Sequence, residues 1–293
     1  MSGIARQTVL PVSVAVSCDN DDPEIGKLLN GVWPRIVAAA ERRHGRLARS
    51  MRLVHVSRAK QAWAHPAQVR NNGFRALDKL IGLDDDDRML GLDGDIVMSP
   101  TVVERHAGAA GADSVLCFCI YLSQEATDRV TADALLSPDP LDLESLVTAA
   151  DFEGLEKRRV RLERHRTVRK AAPAWLARLL IKEHKPKLIS CHYSVRVGMF
   201  RAANGFDEEF TQYGYEDDDL ARRLHALRAQ VKIGVRDIIV YHLKHPSRAP
   251  KHPTESPGWA RFRKRGYPAA AVHGIRNPCE QAEPTVRVVS ADG

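Results

Sequence analysis

Two carboxylate clusters stand far apart in the chain, and each closes off a regular element. Asp93-Gly94-Asp95 ends the apolar run that begins at Met89, and Glu216-Asp217-Asp218-Asp219 opens a segment in which Leu220, Leu224 and Leu227 recur at helical spacing. Those leucines ask for a helix with one buried face. Carboxylates in a first helical turn are stabilised by the helix dipole and by backbone N–H groups without partners, so an acidic first turn is by itself a common structural feature. This one has company. Gly205 and Gly214 let the backbone turn tightly before it, and Asp93 and Asp95 end a strand upstream. Two such clusters point to a site for a metal and a site for a base in one fold.

The stretch Gly205-Phe206-Asp207-Glu208, followed by Tyr213-Gly214-Tyr215-Glu216-Asp217-Asp218-Asp219-Leu220, resembles the C-terminal half of GT-A-fold glycosyltransferases. By pattern it is most similar to the family 2 transferases and the β-1,4-galactosyltransferase group. Their pattern reads Gly-Phe-Asp-Glu, a short spacer, Gly-Gly-Glu-Asp-Asp-Asp, then a helix with Arg-Leu, and Asp93-Gly94-Asp95 is similar to their Asp-X-Asp motif. The resemblance runs over residues 10–245, is closest at 187–245, fair at 68–98 and weakest at 120–186. It implies an α/β protein of GT-A fold, with a Rossmann-like, mixed, mostly parallel central sheet flanked by helices. It further implies a single GT-A domain at 8–245, with a nucleotide-sugar half at 8–100 and an acceptor half at 101–245 that carries a basic helical insert at 151–187. Residues 246–293, rich in Pro, Arg and Lys, read as a C-terminal tail or packing arm.

The chain has 293 residues, 44% hydrophobic and 28% charged, which suits a soluble globular protein with ample length for a core. No apolar run approaches the length that crosses a bilayer, and Met1 to Pro11 lacks the basic-then-apolar layout of a signal peptide. The five cysteines are odd in number and scattered, and read as free thiols in a reducing cytoplasm. The absence of Cys-X-X-Cys spacing argues against zinc. The net charge of +7 is concentrated: residues 151–187 hold twelve Lys or Arg against five Asp or Glu, and the rest of the chain is balanced. A local basic block asks for an anionic substrate or an anionic surface.

Val12 to Val16 alternates and is β-branched, so it reads as a first strand. Asp22 and Pro23 then start a helix whose inner face is Ile25, Leu28, Leu29 and Val32. Ligands of parallel α/β sheets bind where the first strand ends. In the resembled fold this loop holds the nucleotide base, so Asp19 and Asn20 are candidate donor ligands beside the plain reading of a capping loop. Arg70-Asn71-Asn72-Gly73 is similar to an Arg-Asn-X-Gly element of the resembled enzymes that lies near the diphosphate, and a guanidinium at a helix suits phosphate. The four acids Asp84 to Asp87 splay apart and read as a solvated loop.

Hard oxygen ligands at a strand end suit Mg²⁺ or Mn²⁺ bridging a diphosphate. By resemblance Asp95 binds the metal, Asp93 supports the metal shell near the ribose, and Gly94 lies against the donor. His242, after the strand 238–242, completes the shell, with His245 as the second choice. Ser114 to Leu122 reads as one central strand, and Leu141 to Ala149 as a helix. Glu153 to Lys187 is helix-prone with a break at Pro173, and Trp175, Leu176, Leu179 and Leu180 form an apolar face beside Arg178 and Lys182. A charged outer helix, a membrane-surface helix and an arm for an anionic or lipid-diphosphate acceptor are three readings of it. Ser190-Cys191-His192-Tyr193-Ser194 resembles a Gly-Cys-Asn-X-Ser element, with Ser190 in place of Gly and His192 in place of Asn, which would set His192 near the donor sugar.

Glycosyl transfer needs a neutralised leaving group, an aligned acceptor hydroxyl and a carboxylate to take its proton. Asp217 matches the base position of inverting relatives, whereas retaining ones carry Glu-Asn. Glu216 joins it in catalysis and, with Asp218, Tyr213 and Tyr215, is a candidate for gripping the acceptor. The expected partners are a nucleotide-diphosphate sugar, a hydroxyl acceptor (glycan, lipid-linked glycan or small molecule) and Mn²⁺ or Mg²⁺, as in polysaccharide biosynthesis. The expected location is the cytoplasm, with peripheral contact to an anionic membrane through 151–187. A nucleotidyltransferase shares the fold but should carry a Gly-rich basic signature after the first strand, where residues 17–26 are acidic. A non-catalytic basic binding protein is the third class. No basic motif is interleaved with aromatics, so nucleic acid is not an expected partner.

Overall fold

The computed structural model describes residues 1–212, 214–246, 253–264 and 268–291. The alternating N-terminal stretch forms β1 (Ser13–Ser17). Asp22 caps α1 (Pro23–His44) by accepting from the Glu24 backbone N at 3.0 Å, and Pro23 takes the first turn, where an N–H would have no partner. Leu29, Trp33, Ile36, Val37 and Ala40 set the inward face. Leu28, one position off that stripe, stands 66% exposed and not inside. The chain continues through β2 (Arg52–Ser57), α2 (Pro66–Ile81), β3 (Arg88–Leu92), β4 (Ile96–Met98), α3 (Val102–Ala107), β5 (Ser114–Leu116), β6 (Cys119–Tyr121), α4 (Gln124–Arg129) and α5 (Ala132–Leu136). Then follow α6 (Ala149–Ala171), α7 (Ala174–Leu180), β7 (His192–Arg196), α8 (Val197–Ala202), α9 (Glu216–Ala226), β8 (Val231–Ile233), β9 (Val240–His242), α10 (Pro257–Lys264) and β10 (Thr285–Val289).

The architecture is mixed α/β, but the single, mostly parallel sheet expected from the sequence is not what forms. Three small mixed sheets form among the described residues, in the orders β1-β2-β10, β3-β7-β5-β8 and β4-β9-β6. β1/β2, β5/β8 and β6/β9 are parallel, while β2/β10, β3/β7, β5/β7 and β4/β9 are antiparallel. The reason lies in two apolar runs that each change sheet partway. The run 89–98 turns at Asp93 to Asp95, so β3 joins one sheet and β4 the next. The run 114–122 breaks at Cys117-Phe118 in the same way, leaving β5 and β6 in those same two sheets. The Asp-Gly-Asp turn therefore sits at a seam between sheets.

Two main clusters fill the interior. One gathers Phe74, Tyr193, Phe200, Phe206, Leu220 and Leu224 around β7, α8 and α9. The other gathers Trp33, Ile36, Met98, Cys117 and Cys119 under α1. Each fully buried large side chain contributes roughly 1.5–3 kcal/mol. Among the described residues beyond 246, β10 pairs antiparallel along β2 and makes the far edge of the first sheet. Residues 141–149 form a short 3-10 turn at Glu144–Leu146 and not the expected helix. Pro173 does break the basic segment. α6 before it buries Leu155 and Leu162, while Trp175, Leu179 and Leu180 on α7 after it are exposed. Among the described residues no helix is long and apolar enough to cross a membrane. Asp85 and Asp86 pair with Arg201 and Arg196 at the surface.

Candidate active site

The pairing of Ile96 with His242 in the β4/β9 ladder fixes the first group, and the Leu243 N–H donates to the Asp95 carbonyl at 3.0 Å. Ligating atoms of Asp95, His242 and His245 all lie within 4.8 Å of one another. His245 Nε2 stands 2.9 Å from one Asp95 carboxylate oxygen, and His242 Nε2 stands 3.6 Å from the other. His242 Nδ1 bonds the Leu243 carbonyl at 2.8 Å and His245 Nδ1 bonds the Pro246 carbonyl at 2.9 Å. A carbonyl only accepts, so both Nδ1 atoms carry protons, and in neutral rings the Nε2 lone pairs face Asp95. Lone pairs against a carboxylate repel unless a proton or a metal ion lies between. Asp95 Oδ1 is moreover buried with no hydrogen bond. One carboxylate and two imidazoles, each ring oriented by a backbone carbonyl, fit a divalent ion, and the nitrogens favour Mn²⁺ over Mg²⁺.

Asp93 stands outside that group. Its carboxylate takes the Arg70 guanidinium at 3.2 Å, and the same guanidinium reaches Glu216 at 3.1 Å. Arg70 thus joins the Asp-Gly-Asp turn to the first residue of α9. Burial works against its charge, but Glu216 and Asp93 outweigh burial and hold it protonated. His245, second choice on the sequence, belongs to the group as much as His242 does.

Glycine conformations prepare the start of α9. Gly205 has φ of 69° and lies so close to Asn71 that a Cβ would meet its side-chain oxygen at 2.6 Å. Gly214 has φ of 110°, and Tyr215, where the resembled pattern has a second glycine, adopts φ of 71°. A left-handed non-glycine residue costs about 1–2 kcal/mol. Packing offsets it: the Tyr215 ring stacks on Phe262 at 5.2 Å and lies 5.1 Å from Trp259, both on α10. Tyr215 is thus one ring of a three-ring cluster and not an isolated side chain. Tyr213 lies outside the described residues.

The four acids divide in role. Glu216 is buried. Burial and the charge of Asp217 raise its pKa, while Arg70 opposes the shift. Asp217 is half-buried and fixed by the backbone N–H groups of Asp218 at 2.7 Å and Ser190 at 3.4 Å. Asp218 is pushed up to about 6 by burial and by Asp217, with Lys187 at 3.6 Å opposing. Asp219 is structural: it binds Arg222 at 2.7 Å and Arg223 at 2.8 Å, and Arg223 in turn holds the Gly205 carbonyl at 2.8 Å. Lys187, at the end of the basic stretch, was not expected here, and its ammonium feels both Asp217 and Asp218. Nothing but its place in that stretch marks it in the sequence.

The remaining candidates, Gly94 apart, sit elsewhere. Asp19 accepts from Arg58 Nε at 2.9 Å and from the His65 backbone N at 2.6 Å, so its contacts run to β2 and the start of α2 and not to Arg70. Asn20 is half-buried beside it, with a buried, unpartnered Oδ1. Gly94 is exposed at the tip of the turn, with open space where a Cβ would be. His192 is not a cleft residue: it is fully buried, and its ring is bonded to His106 at 3.0 Å, because β7 runs as a central strand between β3 and β5.

Residues 174–246 match the family model described as the N-terminal domain of galactosyltransferase. No curated protein matches the chain. The matched segment holds α9, both histidines and Lys187, and its similarity to a galactosyltransferase domain implies an enzyme of glycosyl transfer.

Proposed function

We propose that this protein is a metal-dependent, inverting glycosyltransferase of GT-A type, moving a sugar from a nucleoside-diphosphate donor to a hydroxyl of a glycan, a lipid-linked glycan or a small molecule. The observation that carries this reading is the Arg70 bridge, which sets Asp93 of the Asp-Gly-Asp turn against Glu216 of α9 beside the Asp95–His242–His245 group. When held by those three residues, a Mn²⁺ or Mg²⁺ ion supplies Lewis-acid neutralisation of the leaving diphosphate. Arg70 offers a planar fork of donors to phosphate oxygens, for which it leaves one of its carboxylates. Asp217, fixed by two backbone N–H groups, takes the acceptor proton. The acceptor oxygen forms a bond to the anomeric carbon, the bond from that carbon to the phosphate oxygen breaks, and the nucleoside diphosphate leaves with the electron pair. Glu216 and Asp218 hold acceptor hydroxyls, and the Tyr215–Trp259–Phe262 rings offer a face to a sugar. Direct displacement with a carboxylate base inverts the anomeric centre.

Calorimetric binding and hydrolysis across a panel of nucleotide sugars, with and without Mn²⁺, on wild type and Asp95→Ala, tests the reading. Metal-dependent binding of one donor, lost in the variant, is the expected result. Binding indifferent both to metal and to Asp95 would overturn it.

A further inference from the structure

A second group of ligating side chains lies behind the Asp-Gly-Asp turn, closed off from solvent. His106 from α3, Cys117 from the β5–β6 junction and His192 from the head of β7 bring ligand atoms within 4.8 Å of one another. They are 2%, 1% and 0% exposed, respectively. His106 Nε2 and His192 Nε2 stand 3.0 Å apart. A single shared proton would satisfy that contact. It would leave the Cys117 thiol idle, while the His192 ring also bonds the Phe118 backbone. A bound ion would engage all three side chains at once.

We propose that His106, Cys117 and His192 hold one buried Zn²⁺ ion, separate from the metal group at Asp95. Zinc takes imidazole nitrogen at about 2.0–2.1 Å and thiolate sulfur at about 2.3 Å in tetrahedral array. Two nitrogens so bound lie roughly 3.3 Å apart, close to the spacing already present. His106 Nδ1 lies 2.8 Å from Ser194 Oγ, and donating there leaves the Nε2 lone pair aimed into the site, as an outer-shell partner does for a zinc ligand. Imidazole ligates in its neutral form, and the buried surroundings of both rings suit that form. The Cys117 thiol, pushed up by burial, releases its proton to solvent as the Zn–S bond forms. The three protein ligands leave a fourth position for water. No Cys-X-X-Cys spacing announces this site, because three elements distant in sequence assemble it.

Its position gives the ion work to do. Leu92 pairs with His192 in the β3/β7 ladder, and the Asp93 N–H meets the Cys191 carbonyl at 3.4 Å. An ion tying α3, the β5–β6 junction and β7 together would brace the strand end that presents Asp93 and Asp95. The proposal does not depend on the glycosyl-transfer reading.

The full chain, expressed with zinc in the medium and dialysed against EDTA to clear exposed sites, is analysed for bound metal. About one zinc per chain is expected, in wild type and in Asp95→Ala alike, and Cys117→Ser should lose it. Cobalt is the second probe, applied to wild type and therefore independent of whether Cys117→Ser folds. Protein refolded with Co²⁺ should show a thiolate-to-cobalt charge-transfer band and tetrahedral visible bands, saturating at one ion per chain. A metal-free wild type with no such band, or a band that persists in a folded Cys117→Ser, would overturn the assignment.

Discussion

Asp217 and Asp218 are neighbours on one helical turn, yet their surroundings assign them different work. Asp217 is half-buried and held by two backbone N–H groups, so replacing it by Asn keeps the shape and removes the proton acceptor. Asp217→Asn should lower kcat by about 10²–10⁴ and leave donor binding within about twofold, as read by steady-state kinetics and calorimetry. An unchanged kcat would remove Asp217 from the role of base. Asp218 is buried, and its folded pKa of about 6 lies above the ordinary value of 3.8. Between those two values the folded protein holds a proton that the unfolded chain has lost, so stability falls as pH rises through that window. Asp218→Asn removes this dependence. Thermal unfolding of wild type and variant from acid to neutral pH should give melting temperatures that converge below pH 3.8, separate between there and about pH 6, and stay apart by a constant amount above it, with the variant relatively more stable at the higher pH. Parallel curves would contradict the shift.

At the scale of elements, α7 is the one whose placement asks most. Trp175, Leu179 and Leu180 are 66%, 76% and 59% exposed. Lys157, Arg161, Arg164 and Lys170 of the preceding α6, and Lys182 just after α7, are exposed basic residues. An apolar step flanked by cations complements an anionic lipid surface. Trp175 fluorescence should shift to the blue with vesicles containing phosphatidylserine and not with purely zwitterionic ones, and the effect should fade with salt. Leu179→Ser should weaken partitioning by about tenfold or more, since burying a leucine contributes roughly 1.5–3 kcal/mol. Equal shifts with both vesicle types would leave the basic residues out of the contact. The sequence discloses such an element through local pattern: α7 follows from Pro173 and its apolar residues, and the start of α1 from Asp22 and Pro23. Pairing partners are not local. Nothing in Ser114 to Leu122 tells that β5 and β6 serve different sheets, nor in Thr285 to Val289 that they close an edge along β2.

For the whole molecule, the question is what fixes the N-terminal elements against α9. The grouping of Asp95 with His242 was legible because Asp95 lies in an Asp-X-Asp turn within an apolar run and His242 ends a strand. Lys187 and the buried His106–Cys117–His192 group were not, because tertiary packing alone brings them into place. The joint between halves lies in α2. Arg70 reaches Glu216 at 3.1 Å, and Arg75 reaches Glu208 at 2.9 Å. Between them Asn71, fully buried, donates to the Phe206 carbonyl at 2.8 Å and to Glu208 at 2.9 Å, and accepts from the Phe206 N–H at 2.9 Å. One amide therefore locks the helix of the N-terminal half to the turn that leads into α9. Asn71→Ala strands the buried N–H and carbonyl of Phe206, while Glu208 keeps Arg75, and each stranded group costs about 1–3 kcal/mol. Stability should fall by about 2 kcal/mol or more, measured by denaturant unfolding. The Asp95–His242–His245 group lies just before β4, at the end of β9 and just beyond it, whereas the hydrogen bonds of the Asn71 side chain run to Phe206 and Glu208. Mn²⁺ affinity of the folded variant should therefore stay near that of wild type while kcat drops, because α9 and its carboxylates lose their register against Arg70. Loss of metal affinity together with kcat would show that the two groups are one cooperative unit, and a stability change under about 0.5 kcal/mol, the level of an ordinary surface substitution, would show that the joint lies elsewhere.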